Sequence, residues 1–154
     1  MDLRKAFFSN LIEMARENKN LILMTGDLGY SFIEEYQKEF EPKGQYLNCG
    51  VAEQNMIGVA SGLALAGKKP YVYSGALFLV LKAMEQIRSA CYQDINVKFI
   101  GTGHSGFLGF THNLEGTENL EDLLKNLPLK RYYPKDEKEL KKAMFKKERS
   151  FIKL

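Results

Sequence analysis

Hydrophobic positions along the chain alternate between a spacing typical of amphipathic helices and a spacing typical of buried strands. Near the N-terminus, apolar residues recur at helical spacing from Leu3 through Leu11 to Ala15. A continuous apolar run follows at residues 21–24 and stops at the turn sequence of residues 25–27. This part of the chain is therefore predicted to form a helix and then a buried strand.

The same alternation continues to the C-terminus. The predicted helices cover residues 31–40, 52–66, 77–92, 120–126 and 137–147, and the predicted strands cover residues 46–48, 70–73, 97–100, 129–133 and 151–154. Strands that alternate with helices of these lengths predict an α/β fold, with a mainly parallel sheet of about six strands and helices on both faces. No linker composition divides residues 1–154, so we expect one domain. Ligands of such sheets bind beyond the carboxyl ends of the strands.

Charge and composition exclude several classes of function. The formal net charge of +3 is spread over 22 basic and 19 acidic residues, which is not the concentrated basic field that nucleic-acid binding needs. The lysines near the C-terminus are interpreted as the solvated face of a helix whose apolar stripe is Leu140, Ala143 and Met144. No apolar run is long enough to cross a membrane, and the N-terminus does not resemble a signal peptide. We expect a cytoplasmic protein that binds neither nucleic acid nor membranes.

The two cysteines do not indicate a metal site or a disulfide. Cys49 and Cys91 lie far apart and form no C-x-x-C pair. We expect two buried, reduced thiols.

Two loops at predicted strand ends carry carboxylates. In residues 25–31, the glycines suit a turn and Ser31 is expected to cap the next helix, but neither feature explains Asp27. In residues 48–56, Glu53 falls in the first turn of a helix, where the helix dipole alone favours an acidic residue. Gly58 and Gly62 recur along that helix at four-residue spacing, which predicts a close contact with another protein chain next to Glu53.

A literal G-x-G-x-x-G motif at residues 101–106 suggests dinucleotide binding, but its context does not. The motif requires that the glycines open a helix after the first strand of a βαβ unit. Residues 107–113 have no helical period, and the preceding strand is not the first one. Dinucleotide binding is therefore the weaker interpretation.

Several motifs together resemble the pyrimidine-binding domain of the transketolase family. They are Gly-Val-Ala-Glu-Gln-Asn-Met-Ile-Gly at residues 50–58, its small-residue continuation to residue 70, Thr-Gly-Asp-Leu-Gly at 25–29 and Glu-Gln-Ile-Arg at 85–88. The resemblance covers nearly the whole chain, with the motifs in the order of the family. It implies the fold of that domain and a thiamine-diphosphate-dependent enzyme, with the activity of a transferase.

The resemblance also implies roles for individual residues. The glutamate matching Glu53 hydrogen-bonds N1′ of the cofactor's aminopyrimidine and so promotes deprotonation of thiazolium C2, which requires a carboxyl group held away from bulk water. Phe78 matches an aromatic residue that stacks on the aminopyrimidine, although another aromatic position of the family falls near Gly75. Asp27 lies in a loop that matches one of the family's pyrimidine domain and is a candidate cofactor contact, and Ser31 is a tentative substrate contact at the end of this loop.

The segment from His104 to Glu118 departs from the family pattern. Family members have a short Gly-Glu-Asp-Gly stretch with histidines that contact the substrate. His104 corresponds to one of these histidines and is a catalytic candidate, while His112 and Glu118 are tentative substrate contacts in a longer loop. A solvent-exposed loop residue remains an alternative for each histidine.

The chain lacks the family's Gly-Asp-Gly motif for Mg²⁺, so we expect no metal ligand here and the diphosphate-binding and C-terminal domains elsewhere. The chain is either an excised fragment or one subunit of a split enzyme. We expect the assembled enzyme to be a homodimer or a heterotetramer, and this chain to be inactive without its diphosphate-binding partner. The leading hypothesis is two-carbon ketol transfer between sugars. A deoxyxylulose-phosphate-synthase-like or 2-oxoacid-dehydrogenase-like enzyme, and a non-catalytic assembly module of the same fold, remain alternatives.

Overall fold

The structure is a computed structural model that describes residues 2–103 and 120–154. The helices are α1 (Leu3–Glu17), α2 (Glu34–Phe40), α3 (Glu53–Leu65), α4 (Met84–Tyr92), α5 (Leu120–Leu124) and α6 (Glu137–Phe145). The strands are β1 (Leu21–Thr25), β2 (Tyr46–Asn48), β3 (Lys69–Gly75), β4 (Lys98–Thr102), β5 (Lys130–Tyr132) and β6 (Ser150–Lys153). A 3₁₀ turn (Glu41–Lys43) follows α2, and a π-helical turn (Phe78–Lys82) precedes α4.

The six strands form one sheet in the order β2-β1-β3-β4-β6-β5, and every pairing is parallel. Thr25 pairs with Asn48 on one side and with Tyr73 on the other, so β1, β2 and β3 end at the same edge of the sheet. The predicted α/β class, strand number and parallel pairing are confirmed.

The core has one layer on each face of the sheet, because successive side chains of a strand point to opposite faces. Leu21 and Leu23 pack in the layer beneath α1, α2 and α6, whereas Ile22 and Met24 pack in the layer beneath α3, α4 and α5. A strand buried on both faces needs apolar residues at every position, which accounts for the uninterrupted hydrophobic run of β1.

Two helices begin with the side-chain caps that favour helix initiation. Asp2 accepts a hydrogen bond from the Arg4 amide at the start of α1 (3.1 Å), and Asp136 accepts one from the Glu139 amide at the start of α6 (2.8 Å). The apolar stripe predicted on α6 is buried: Leu140, Ala143 and Met144 are each at most 3% exposed.

The predicted helix over residues 77–92 is not a single α-helix. A π-helical turn, Phe78–Lys82, is separated from α4 by Ala83. Leu79, Val80 and Ile87 are all buried, so the apolar spacing continues through the break and conceals it. A π turn differs from an α turn in its backbone hydrogen bonds, and such turns occur frequently at functional sites.

The predicted N-cap of α2 is wrong. Ser31 has a left-handed backbone (φ 75°), and α2 begins only at Glu34, with Ile33 at the cap position and no side-chain cap. The Glu34 carboxylate reaches back and accepts a hydrogen bond from the Ser31 amide at 2.7 Å. The Glu34 carboxylate thus satisfies the backbone amide of Ser31, which lies just before the helix. The Ser31 hydroxyl does not cap the start of α2.

The two cysteines differ in their burial. Cys91 is buried as expected, but Cys49 is only partly buried, because it lies in the loop between β2 and α3 and not within a packed element; both thiols are free. Among the helices of residues 2–103 and 120–154, none has the length and apolarity needed to span a membrane.

The first glycine of the G-x-G-x-x-G motif has a packing role. Gly101 lies within β4, where a Cβ atom would come within 2.7 Å of the Phe151 ring and 2.9 Å of the Ala76 Cβ. Only glycine fits between β6 and the residue that follows β3. The motif therefore begins inside a strand, not in the turn that a dinucleotide site requires.

Candidate functional site

The candidate site lies at the carboxyl edge of β1, β2 and β3. Gly26 directly follows β1, and its amide donates to the carbonyl of Tyr73 in β3 (3.4 Å). Cys49 directly follows β2, and its amide donates to the carbonyl of Thr25 at the end of β1 (2.8 Å). These hydrogen bonds hold the loops after β1 and β2 against the strand ends, where parallel sheets form binding sites.

Glu53 is the buried acidic group of this edge. It is the first residue of α3, and its side chain is only 2% exposed. The hydroxyl of Ser74, a fully buried residue of β3, donates to Glu53 Oε1 at 3.1 Å. The ammonium of Lys82 lies 3.7 Å from Oε2. Each carboxylate oxygen therefore has a different neighbour.

The loop after β1 passes directly beside this pair. A Cβ atom at Gly26 would lie 3.4 Å from Ser74 Oγ and 3.6 Å from Glu53 Oε1, which is ordinary van der Waals contact. A methyl group at Gly26 would thus touch both Ser74 and the carboxylate of Glu53. The small residue at this position keeps the surroundings of Glu53 uncrowded.

Phe78 supplies an aromatic ring next to the carboxylate. It is the first residue of the π-helical turn, is half-buried, and has the Lys82 ammonium 4.5 Å from its ring centroid. The ring lies against the end of β3, since a Cβ atom at Gly75 would be 3.0 Å from Phe78 Cδ2. Gly75, where the family pattern has an aromatic residue, thus makes room for the ring of Phe78.

Asp27 joins two of the loops at this edge. Its carboxylate Oδ1 accepts hydrogen bonds from the Tyr30 hydroxyl (2.7 Å) and the Asn48 side-chain amide (3.0 Å). These two hydrogen bonds hold the pKa of Asp27 below its usual value, and the bond from Asn48 has the larger effect. Asp27 has a left-handed backbone (φ 57°), a conformation that Asp tolerates better than most residues. The exposed carboxylate is thus kept ionised and fixed between the loops.

The structure places the predicted site residues in three groups. Glu53 and Phe78 come together, because the same Lys82 nitrogen contacts both. Asp27 lies at the same edge, and Ser31 is exposed further along its loop. The remaining candidates lie outside the described residues; they are His104, His112 and Glu118.

Two neighbours of Glu53 were missed by sequence reasoning. Ser74 could have been found in the sequence, because it is a polar residue inside an otherwise apolar strand. Lys82 carried a weaker signal, since it stands four residues after Phe78 and so lies on the same side of a helical turn. Among residues 2–103 and 120–154, no group of three or more His, Cys, Asp or Glu side chains is placed to hold a metal ion.

The outer side of α3 is open in this chain. Gly58 and Gly62 are exposed, and a Cβ atom at either position would meet nothing within 4 Å. Val59 and Leu65 on the same helix are 40% and 75% exposed. The helix that begins with Glu53 therefore presents small and apolar residues to its surroundings.

Comparison with known proteins identifies relatives over almost the whole chain. Residues 1–149 match the family described as the transketolase, pyrimidine binding domain. The chain is 36% identical over 115 residues to one of the subunits of the apulose-4-phosphate transketolase of Phocaeicola vulgatus, covering 71% of this chain and 36% of that protein. It is 32% identical over 148 residues to the 6-deoxy-6-sulfo-D-fructose transketolase subunit SqwH of Clostridium sp. (strain MSTE9), covering 92% of this chain and 44% of that protein.

A solved structure agrees with these relatives. The structure described as a split gene transketolase, inactive beta4 tetramer, superimposes with a TM-score of 0.80 at 32% identity and covers 98% of this chain and 50% of that one. The chain thus spans half or less of the length of each of these three proteins.

Proposed function

The chain belongs to the transketolase family through its pyrimidine-binding domain, and on that premise we propose that it is the pyrimidine-binding half of a thiamine-diphosphate-dependent ketol transferase. Its active form includes a second domain or chain that binds the diphosphate. Two-carbon transfer between sugars is the proposed reaction, and the transketolase subunits among its relatives support that choice.

One observation carries the proposal: a buried carboxylate and an aromatic ring lie within reach of one small flat molecule. The Lys82 nitrogen is 3.7 Å from Glu53 Oε2 and 4.5 Å from the centroid of Phe78. An aminopyrimidine needs the same two partners, a carboxyl group at its ring nitrogen and an aromatic face for stacking. The residues present therefore fit the pyrimidine end of thiamine diphosphate.

When bound, thiamine diphosphate supplies a thiazolium carbon that acts as a nucleophile once it has lost its proton. Glu53, buried away from bulk water, would hold the pyrimidine nitrogen and promote that loss by sharing a proton with it. Because Ser74 donates to Oε1, the oxygen available to the ring nitrogen would be Oε2, on the side of Lys82. Phe78 would orient the ring by stacking.

The other candidates act around this centre. Asp27, fixed by Tyr30 and Asn48, contributes to the cofactor side of the edge. His104 takes part in catalysis, and Ser31, together with His112 and Glu118, contacts the substrate. These assignments rest on the family pattern and, for Asp27 and Ser31, on the placement of the loop after β1.

The partner supplies Mg²⁺ and the contacts to the diphosphate. A diphosphate leaving water needs a cation and several hydrogen-bond donors, whereas Glu53 and Phe78 supply a carboxylate and a ring. The exposed small-residue side of α3 is the proposed contact between protein chains, in a homodimer or a heterotetramer. The names of both transketolase relatives describe subunits, which supports a divided enzyme.

A non-catalytic assembly module is disfavoured by the burial of Glu53. Removing a carboxylate from water is costly unless it is well paired, and Glu53 has one hydroxyl and one ammonium at 3.7 Å. A protein that serves only for assembly would gain nothing from burying this carboxylate.

The experiment is calorimetry with thiamine diphosphate and Mg²⁺, first on this chain alone and then on its mixture with a diphosphate-binding partner chain. We expect weak binding to the isolated chain, because a stacked ring and one hydrogen bond are its main contacts. Tight binding and ketol transfer should appear together when the partner is added. Tight, Mg²⁺-dependent binding by this chain alone would refute the half-site, and the Phe78→Ala variant with the partner is the control for ring stacking.

A further inference from the structure

Lys82 contacts both groups that the proposed cofactor contact requires. We propose that its ammonium competes with the aminopyrimidine for the carboxylate of Glu53 and the face of Phe78, and that it must swing outward before the ring binds. This inference rests on the proposed function and adds a positioning residue to the same site.

The π-helical turn places Lys82 where it can do this. Phe78 and Lys82 are its first and last residues, four positions apart, so their side chains lie on one side of the turn. The ammonium is 4.5 Å from the ring centroid, within the range of a cation–π contact. The same nitrogen is 3.7 Å from Glu53 Oε2. A ring stacked on this face of Phe78 and bonded to Oε2 would occupy the space that the ammonium fills.

Lys82 can leave without disturbing the core. Its side chain is 46% exposed, whereas that of Glu53 is 2% exposed. A lysine has a flexible four-carbon stem and a strongly hydrated ammonium, so water compensates much of the lost contact when it rotates outward. The movable partner of the pair is therefore the lysine.

The ammonium of Lys82 and the pyrimidine nitrogen would meet the same carboxylate oxygen, Glu53 Oε2. The two arrangements therefore exclude each other, and outward rotation of Lys82 would couple binding of the ring to its contact with Glu53.

The chain contains a matched control. Lys43 Nζ lies 3.2 Å from Glu39 Oε1 and 4.7 Å from the centroid of Phe40, and its side chain is 52% exposed. This lysine has the same kinds of partner at similar distances but lies in the turn after α2, outside the candidate site. Lys43→Met removes an equivalent ammonium without touching the proposed competition.

The test is an NMR titration of the full-length chain with 4-amino-5-hydroxymethyl-2-methylpyrimidine at a pH where this probe is uncharged. The probe has no thiazolium and no phosphate, so a change in affinity does not reflect simple charge repulsion. We expect Lys82→Met and Lys82→Gln to bind it ~3–10-fold more tightly than the wild type, from the usual strengths of exposed ion pairs and cation–π contacts. Lys82→Arg should remain within about twofold of the wild type, since it keeps a cation at this position.

Added salt provides a second readout. Screening weakens the pair between Lys82 and Glu53, so the wild type should bind the probe more tightly as ionic strength rises, whereas Lys82→Met should not change. Lys43→Met should behave as the wild type in both measurements. A role of Lys82 that is only structural would not produce this difference in salt response.

The outcomes separate the inference from the function on which it rests. If the wild type binds the probe and both Lys82→Met and Lys82→Gln bind it equally or more weakly, the competition is refuted and the pyrimidine site stands. If neither the wild type nor any variant binds the probe at millimolar concentration, the pyrimidine site itself is refuted, and the inference with it.

Discussion

At the scale of single residues, Glu53 combines a proposed function with a cost to stability. The carboxylate is 2% exposed, its ammonium neighbour is 46% exposed, and 3.7 Å separates them. A buried carboxyl group with so exposed a partner is poorly compensated for its lost hydration. Glu53 is thus a residue whose presence is better explained by chemistry than by folding.

This predicts that Glu53→Gln does not destabilise the fold. The amide keeps the shape of the side chain and can still accept the bond from Ser74, while Lys82 can turn to water. We expect the free energy of unfolding to rise by ~1 kcal/mol in urea denaturation of the isolated chain. Glu13→Gln, which removes an exposed carboxylate 3.4 Å from Lys141, is the control and should change it by less than about 0.5 kcal/mol. A loss above ~1 kcal/mol in Glu53→Gln would mean that the charge supports the fold.

The sequence predicted the residues of the proposed site but not the contacts that adjust them. Glu53 and Phe78 follow from motifs in known order, and the structure brings them together. The contacts of Ser74 and Lys82 with Glu53 depend on how β3 and the π-helical turn are placed, which is a tertiary property. Residue spacing alone gives neither distance.

At the scale of elements, the contact between β4 and its neighbours depends on Gly101. The space at this glycine is filled by the Phe151 ring of β6 and by Ala76, which follows β3. These neighbours lie in packed elements and cannot yield without moving the sheet.

We predict that Gly101→Ala destabilises the chain by ~1–3 kcal/mol, the usual cost of overpacking, in the same urea experiment. Gly58→Ala in α3 is the control, because its Cβ would meet nothing within 4 Å. It should stabilise the isolated chain by up to ~1 kcal/mol through helix propensity. Equal effects of the two substitutions would show that the close approach at Gly101 carries no strain.

Most elements could be predicted from hydrophobic spacing, since strands buried on both faces and amphipathic helices leave distinct patterns. β2 was predicted with its observed bounds, and α3 within one residue at each end. The errors fall where backbone conformation departs from the side-chain pattern. They are the π-helical turn before α4 and the left-handed Ser31 before α2.

At the scale of the whole molecule, the fold places the proposed half of a thiamine site at one edge of a parallel sheet. Parallel pairing brings the ends of β1, β2 and β3 together, which was predictable from the alternation of helices and strands. The open side of α3 and the transketolase subunits among its relatives support the proposal that a partner completes the site. On the proposed function, the identity of the sugar would depend on the segment from His104 to Glu118, where the sequence departs from the family pattern.

The central claim is that Glu53 of this chain activates thiamine diphosphate in a complex with the diphosphate-binding partner. Its most direct test is the rate of hydrogen–deuterium exchange at thiazolium C2 in the reconstituted complex, measured by NMR for the wild type and for Glu53→Gln. The amide fills the same space but cannot share a proton in the same way, so cofactor affinity should be largely kept while exchange slows by ~10²–10⁴-fold. Equal exchange rates in the two complexes, with the cofactor bound in both, would contradict the account.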